Sequence, residues 1–197
     1  MDIQVIKPEH FKSTAWSGGL SREIMIFPSD AEYGPRDFLY RVSTAVVESR
    51  ESIFTDLPDY NRFIIPLSGE LTLFINQKPQ HLEPFNVLAF DGAAKTTSLS
   101  GPNLTDLNLM VKKGFSATVQ VVGFEEIMEI NLENDQLIVR VQLCENGSFQ
   151  FIQDAIFKPM GLIPPSPLLK NDQLAIIMTL PQNPNGPDLD ELSASMF

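Results

Sequence analysis

Short runs in which apolar and polar residues alternate, each closed by Gly, Pro, Asn or Asp, recur along this chain. That period of two predicts β-strands. The stretch from Asp59 to Gly92 organises the reading. It predicts strands over Arg62–Leu67, Leu71–Ile75 and Val87–Phe90. Ser68-Gly69 is expected to close a tight hairpin, making the first two antiparallel neighbours. Asn76, Lys78, Pro79 and Glu83-Pro84 are expected to leave the ladder as turns, and Asp91-Gly92 ends the third run. Upstream, Ile3–Ile6 reads as an edge strand stopped by Pro8, Ser21–Phe27 as a strand after a Gly18-Gly19 bend, and Phe38–Val47 as another. Pro28–Asp37 reads as a loop and Glu48–Pro58 as an irregular connection. Downstream, strands are expected over Leu104–Val111, Ala117–Phe124, Ile127–Leu132, Gln136–Cys144, Ser148–Gln153 and Leu174–Leu180, the last fully buried. Glu145-Asn146-Gly147 predicts a hairpin, Pro159–Pro167 an extended loop, and Pro181–Phe197 a loosely held tail. No long amphipathic helix is predicted, so the fold class is all-β, a barrel or a sandwich.

Alternation also assigns faces. Arg41, Ser43 and Ala45 share one side of their strand and Val42, Thr44 and Val46 the other. Asp106, Asn108 and Met110 alternate with Leu107, Leu109 and Val111; Arg22 goes with Ile24 and Ile26, and Glu23 with Met25 and Phe27. Three guanidinium groups, Arg22, Arg41 and Arg62, thus stand on or beside strands, with Glu23, Ser43, Asp106 and Asn108 available as partners. Burying such charge is costly unless it is paired and hydrogen-bonded. An anionic ligand would meet that cost, because the planar Arg fork binds a carboxylate bidentately while Ser and Asn orient an amide or formyl group. The alternative is that each Arg points to water or forms a structural ion pair with Glu23 or Asp106. Trp16 and Gly18-Gly19 are read as a bend with packing, and Phe85 and Phe90 as core.

Composition narrows the partners. A chain of 197 residues with 43% hydrophobic residues and 14 Phe can build one large β domain or two barrels. Its formal charge of −11 argues against nucleic acid. Cys144, the single cysteine, has no disulfide partner in the chain and is expected to be a buried structural residue; a cytoplasmic compartment fits. The charged N-terminus and the lack of a long apolar run give no signal peptide and no membrane partner. His10 and His81, the only histidines, form no His-x-His pair, so no metal and no other cofactor is expected, and both read as exposed loop residues.

Five segments in order carry a resemblance: WSGGLSREI, YRVSTA, LPDYNR, PFNVLAFDG and DLNLMVKKG. Together they resemble the HutD/Ves family over roughly residues 1 to 115. Ser21 stands where that pattern has threonine, Tyr40 takes the aromatic place before Arg41, and Asp59-Tyr60-Asn61 replaces the usual Gly-x-Asp before Arg62. The resemblance implies a metal-free bicupin: one cupin-like jelly-roll barrel over residues 1–115 and a second over 116–197, with strands open to exchange between the halves. It also implies regulatory binding of a small acid such as formylglutamate in histidine utilisation, or a role in stress. Arg62 and Arg41 are expected to anchor the anion, with Asp106, Asn108 and Ser43 orienting it and Arg22 and Glu23 completing the charge balance. A small carboxylate metabolite is therefore the expected partner, and a homodimer is compatible with the reading. Binding is favoured over catalysis; the alternative is a metal-free isomerase or hydrolase with Glu23 or Asp106 as general base.

Overall fold

A computed structural model describes residues 3–127, 136–158 and 169–181. In chain order its elements are β1 (Gln4–Ile6), a 3-10 turn (Pro8–His10), β2 (Lys12–Trp16), β3 (Gly19–Phe27), β4 (Tyr40–Val47), β5 (Glu51–Ile53), β6 (Tyr60–Ser68), β7 (Leu71–Ile75) and β8 (Lys78–Leu82). Then follow β9 (Leu88–Asp91), β10 (Thr96–Ser100), β11 (Leu104–Lys112), β12 (Thr118–Val122), α1 (Phe124–Ile127), β13 (Gln136–Leu143), β14 (Phe149–Lys158) and β15 (Gln173–Thr179). The described residues are all-β apart from these two single turns, and no helix among them is long and apolar enough to cross a membrane.

Two compact units result. One is made of residues 11–26 and 38–115; the other takes residues 3–10, 27–37 and the described residues beyond 115. The division is not a single cut near residue 115, because β1 pairs antiparallel with β14, Gln4 opposite Phe157 and Ile6 opposite Ala155.

The unit built from residues 11–26 and 38–115 has two sheets, ordered β2-β3-β4-β11-β6-β9 and β5-β10-β7-β8. Ile64 and Leu104 from the larger sheet pack with Leu71, Leu73 and Leu82 from the smaller, flanked by Val47, Phe54, Ile75, Leu88 and Phe90. Full burial of each Leu or Ile is worth roughly 1.5–3 kcal/mol, so this cluster ties the two sheets together. Two antiparallel sheets closed face to face in this way form a cupin-like barrel.

Three local expectations differ from the structure. Ser68-Gly69 does turn the chain, with Gly69 at φ +73°, but β6 and β7 do not pair. The turn carries the chain across the barrel, from the larger sheet to the smaller. The hairpin comes later, where Asn76 and Gln77, at φ +48° and +68°, join β7 to β8. Both central residues at positive φ is the geometry that matches strand twist. Pro79 is tolerated in β8 because that strand lies at a sheet edge. Finally, β10 escapes the alternation rule because its pattern is inverted: Thr96 and Ser98 are buried while Leu99 is exposed.

The second unit is one sheet among the described residues, ordered β1-β14-β13-β15-β12. The expected buried strand is β15, between β13 and β12, with Ala175, Ile176, Ile177 and Met178 all buried. Glu145-Asn146-Gly147 links β13 to β14, with Gly147 at φ +79°. The strand expected over Ile127–Leu132 begins instead as the end of α1, where Gly123 N–H donates to the Glu126 carboxylate at 2.8 Å. The rest of that stretch, the Pro159–Pro167 loop and the tail after Pro181 lie outside the described residues. Cys144, expected to be buried, is exposed just past the end of β13.

Candidate functional site

Strand register decides which side chains meet. Across β4, β11 and β6, Met110 stands opposite both Arg41 and Arg62, Asn108 opposite Ser43 and Ile64, and Asp106 opposite Ala45 and Pro66. β9 extends two of these rungs, placing Phe90 opposite Arg62 and Leu88 opposite Ile64. Directly opposed residues share a face. Ile64, Leu88 and Phe90 belong to the core between the two sheets, so the whole array points into the barrel. Arg41, Ser43, Arg62, Asp106 and Asn108 are between 5% and 9% exposed.

Arg41 is held from two sides. Its Nε donates to Glu23 Oε2 at 2.6 Å and its Nη1 to Ser43 Oγ at 3.1 Å. Glu23 reaches it from β3, the neighbouring strand, and most of its side chain is buried. Arg62, one strand beyond β11, lies against two rings that also meet each other edge to face: its Cζ is 4.7 Å from the Phe54 centroid and 5.3 Å from that of Phe90. Such stacking favours a cation electrostatically. Arg62 Nη1 also donates to the Thr55 carbonyl at 3.4 Å.

Asp106 and Asn108 occupy the next two inward-facing positions on β11. Asn108 Nδ2 donates to Asp106 Oδ1 at 2.6 Å, and Thr44 Oγ1 donates to the Asp106 carbonyl at 2.7 Å. The ladder is irregular here, with a register shift between Thr105 and Asp106, and Pro66 offers no N–H at that rung. Burial pushes the Asp106 carboxyl from an ordinary 3.8 up to about 7. The Arg62 charge, the Asn108 hydrogen bond and the Ala45 backbone pull the other way without cancelling it. Near neutral pH this group can therefore either donate or accept a proton. Asn108 Oδ1, also buried, meets no hydrogen-bond donor among the described residues. Leaving such an acceptor unsatisfied costs about 1–3 kcal/mol.

Of the seven expected site residues, six come together: Glu23, Arg41, Ser43, Arg62, Asp106 and Asn108. Arg22 does not. It is exposed, because it neighbours Glu23 on a strand whose side chains alternate faces. Sequence reasoning missed Phe54, Thr55 and Met110. Only the pairing of β11 places Met110 between the two arginines, and the Phe54 region gave no strand signal. Phe90, read as core, also contacts Arg62.

Other candidates lie elsewhere. Trp16 is exposed on β2; its ring lies so close over Gly18 that a Cβ there would come within 2.1 Å of it. His10 is exposed, and His81 is an exposed residue of β8, its Nδ1 3.2 Å from Thr72 Oγ1. No three His, Cys, Asp or Glu are grouped to hold a metal among the described residues. Lys113 pairs with Asp91 at 2.7 Å, which holds the Asp91 carboxyl below its usual range. A groove of about 660 Å³ bordered by Arg50, Glu70, Thr72 and Ser100 shares none of the seven residues.

Known proteins share this architecture. HutD from Pseudomonas fluorescens SBW25, determined in a formate condition, is similar with a TM-score of 0.66 at 18% identity, over 92% of this chain and 100% of that one. The conserved protein of unknown function PA5104 from Pseudomonas aeruginosa PAO1 is similar with a TM-score of 0.64 at 17% identity, over 92% of this chain and 94% of that one. Identities this low show a shared fold. No curated protein sequence matches. The HutD family model matches residues 8–162, which span every strand of the barrel described above, and the chain belongs to the HutD family.

Proposed function

We propose that this protein is a metal-free bicupin that binds a small carboxylate metabolite inside the barrel formed by residues 11–26 and 38–115, and that binding serves a sensing or regulatory role. One observation carries the reading: Arg41 and Arg62 lie buried on one rung, with Ser43, Asn108 and Asp106 on the next two. Stability alone rarely favours two buried guanidinium groups in one small barrel. A carboxylate matches their fork geometry, and a ligand N–H would satisfy Asn108 Oδ1. An acid bearing both groups, such as N-formylglutamate, fits this donor and acceptor set. The family resemblance implies histidine utilisation as the setting.

Thermal-shift measurements with N-formylglutamate, glutamate and urocanate test the reading. A ligand at about 100 times its Kd stabilises the folded state by roughly 2.7 kcal/mol. The expected result is a raised Tm with at least one acid, lost in Arg62→Ala. A wild-type Tm that no acid moves, or an Arg62→Ala response equal to wild type, refutes the proposal.

A second reading, a metal-free isomerase or hydrolase, is favoured by the Asp106 carboxyl at about 7, a value suited to a general base. Glu23 is the weaker base because it is committed to Arg41. Turnover of a bound acid that disappears in Asp106→Asn would select this reading.

A further inference from the structure

We infer that the groove of about 660 Å³ beside Arg50 and Glu70 is a second binding site, one that takes a dipeptide with free termini and apolar side chains. It is separate from the carboxylate site. Val47, on the groove's border, pairs with Leu104, whereas Arg41 pairs with Met110, six positions and about 20 Å further along β11.

Backbone hydrogen bonds fix the walls of the groove. Consecutive residues at the end of β10 reach in opposite directions: Ser100 N–H donates to the Arg50 carbonyl and Gly101 N–H to the Glu70 carbonyl, each at 2.8 Å. Arg50 and Glu70 therefore flank β10 on either side, their backbones two strand spacings, about 10 Å, apart. In the loop that follows, Asn103 holds φ +59° and its carbonyl accepts from Ser68 Oγ at 2.7 Å. A cleft tied in this way is formed before any ligand arrives, and its volume falls within the range of about 300–1,000 Å³ usual for ligand sites.

Three features of the lining define the ligand. Arg50 and Glu70 are opposite charges on one groove, yet neither side chain forms an ion pair or a hydrogen bond among the described residues. Val46 and Leu99 add two large apolar side chains that are 43% and 37% exposed. Ser100, on the strand between the two charges, has its Oγ shut off from water with no hydrogen-bond partner. A dipeptide meets all three. Its carboxylate matches the Arg50 fork, its ammonium matches Glu70, its side chains cover Val46 and Leu99, and its peptide group offers Ser100 Oγ the partner it lacks. Two residues of extended chain span about 7 Å, which brings one terminus towards each charge. A free amino acid carries both charges on one carbon and would leave most of the groove empty. Glu48, also on the border, makes the lining net negative and selects against purely anionic acids.

Calorimetric titration of the full chain with Leu-Leu, N-acetyl-Leu-Leu and Leu-Leu amide tests the assignment. Leu-Leu should bind, and each blocked peptide should bind at least about tenfold more weakly, because each loses one charged contact. Arg50→Ala, a change at an exposed position, should weaken Leu-Leu by about tenfold or more and abolish the discrimination between Leu-Leu and its amide. Should that variant fail to fold, Leu99→Ser carries the same test through the apolar wall, with weaker Leu-Leu binding expected. No binding of Leu-Leu, equal affinity for all three peptides, or wild-type affinity in the folded variant overturns the assignment. None of these outcomes bears on carboxylate binding inside the barrel, which the Arg62→Ala thermal shift reads separately.

Discussion

Replacing Asp106 by asparagine should make the stability difference between variant and wild type depend on pH in a defined window. The wild-type carboxyl titrates at about 7 in the folded chain against 3.8 ordinarily. Its folded pKa is raised, so below about pH 4 it is protonated in both states and contributes no penalty. Between about pH 4 and 7 the unfolded chain releases the proton while the folded chain keeps it, and stability falls as pH rises. At about 1.4 kcal/mol per pH unit, the loss reaches roughly 4 kcal/mol and then levels off above about pH 7. The Asp106→Asn variant carries no such penalty. Its side-chain carbonyl can still accept from Asn108, whereas its amide would face the Ala45 N–H, at a pH-independent cost of about 1–3 kcal/mol. The slope of the difference, rather than its absolute value, therefore isolates the ionisation. Urea unfolding of both proteins at pH 4.5, 6, 7 and 8 measures it, since other titrating groups are common to both chains. A difference that stays constant across that range refutes the assignment of a buried, desolvated Asp106.

Two further outcomes check the geometry around this site. Glu23→Gln should destabilise the protein by about 3 kcal/mol in denaturant unfolding, because it leaves the buried Arg41 without its counter-ion, whereas Arg22→Ala on the exposed face should change stability by no more than about 0.5 kcal/mol. Gly19→Ala should cost more than about 2 kcal/mol by the same assay, since its φ is +150° and a Cβ would stand 2.1 Å from the Val46 carbonyl oxygen; a neutral result would contradict the close approach of β3 and β4.

Period-two patterning by itself determined the fold class and most of the strands, because a side chain's face follows from its place in a strand. It located β3, β4, β6, β7, β9, β11, β13 and β15 to within a few residues. It failed at β2 and at β5, which lies inside the Glu48–Pro58 stretch read as irregular, because their side chains are mostly exposed, and at β8 and β10, where an edge position tolerates Pro79 and where hydroxyls rather than aliphatic groups face inward. Alternation also put Arg41 with Ser43 and Asp106 with Asn108, and those pairs meet inside the barrel. The same rule set Arg22 and Glu23 on opposite faces, which is why Arg22 ends outside the cluster that Glu23 joins.

What the linear pattern could not supply was the choice of neighbour. Ser68-Gly69 encodes a reversal, but whether the next strand joins the same sheet or the facing one depends on where Leu71 and Leu73 find apolar partners across the barrel. Likewise, the juxtaposition of Arg62 with Phe54, Phe90 and Asp106 follows from register among distant strands and from closure of the two sheets. Desolvation of Asp106 is a property of that closed interior, with no counterpart in its local sequence. The residues able to do the chemistry were legible one strand at a time; their charge states and contacts arose only when long-range pairing removed them from water.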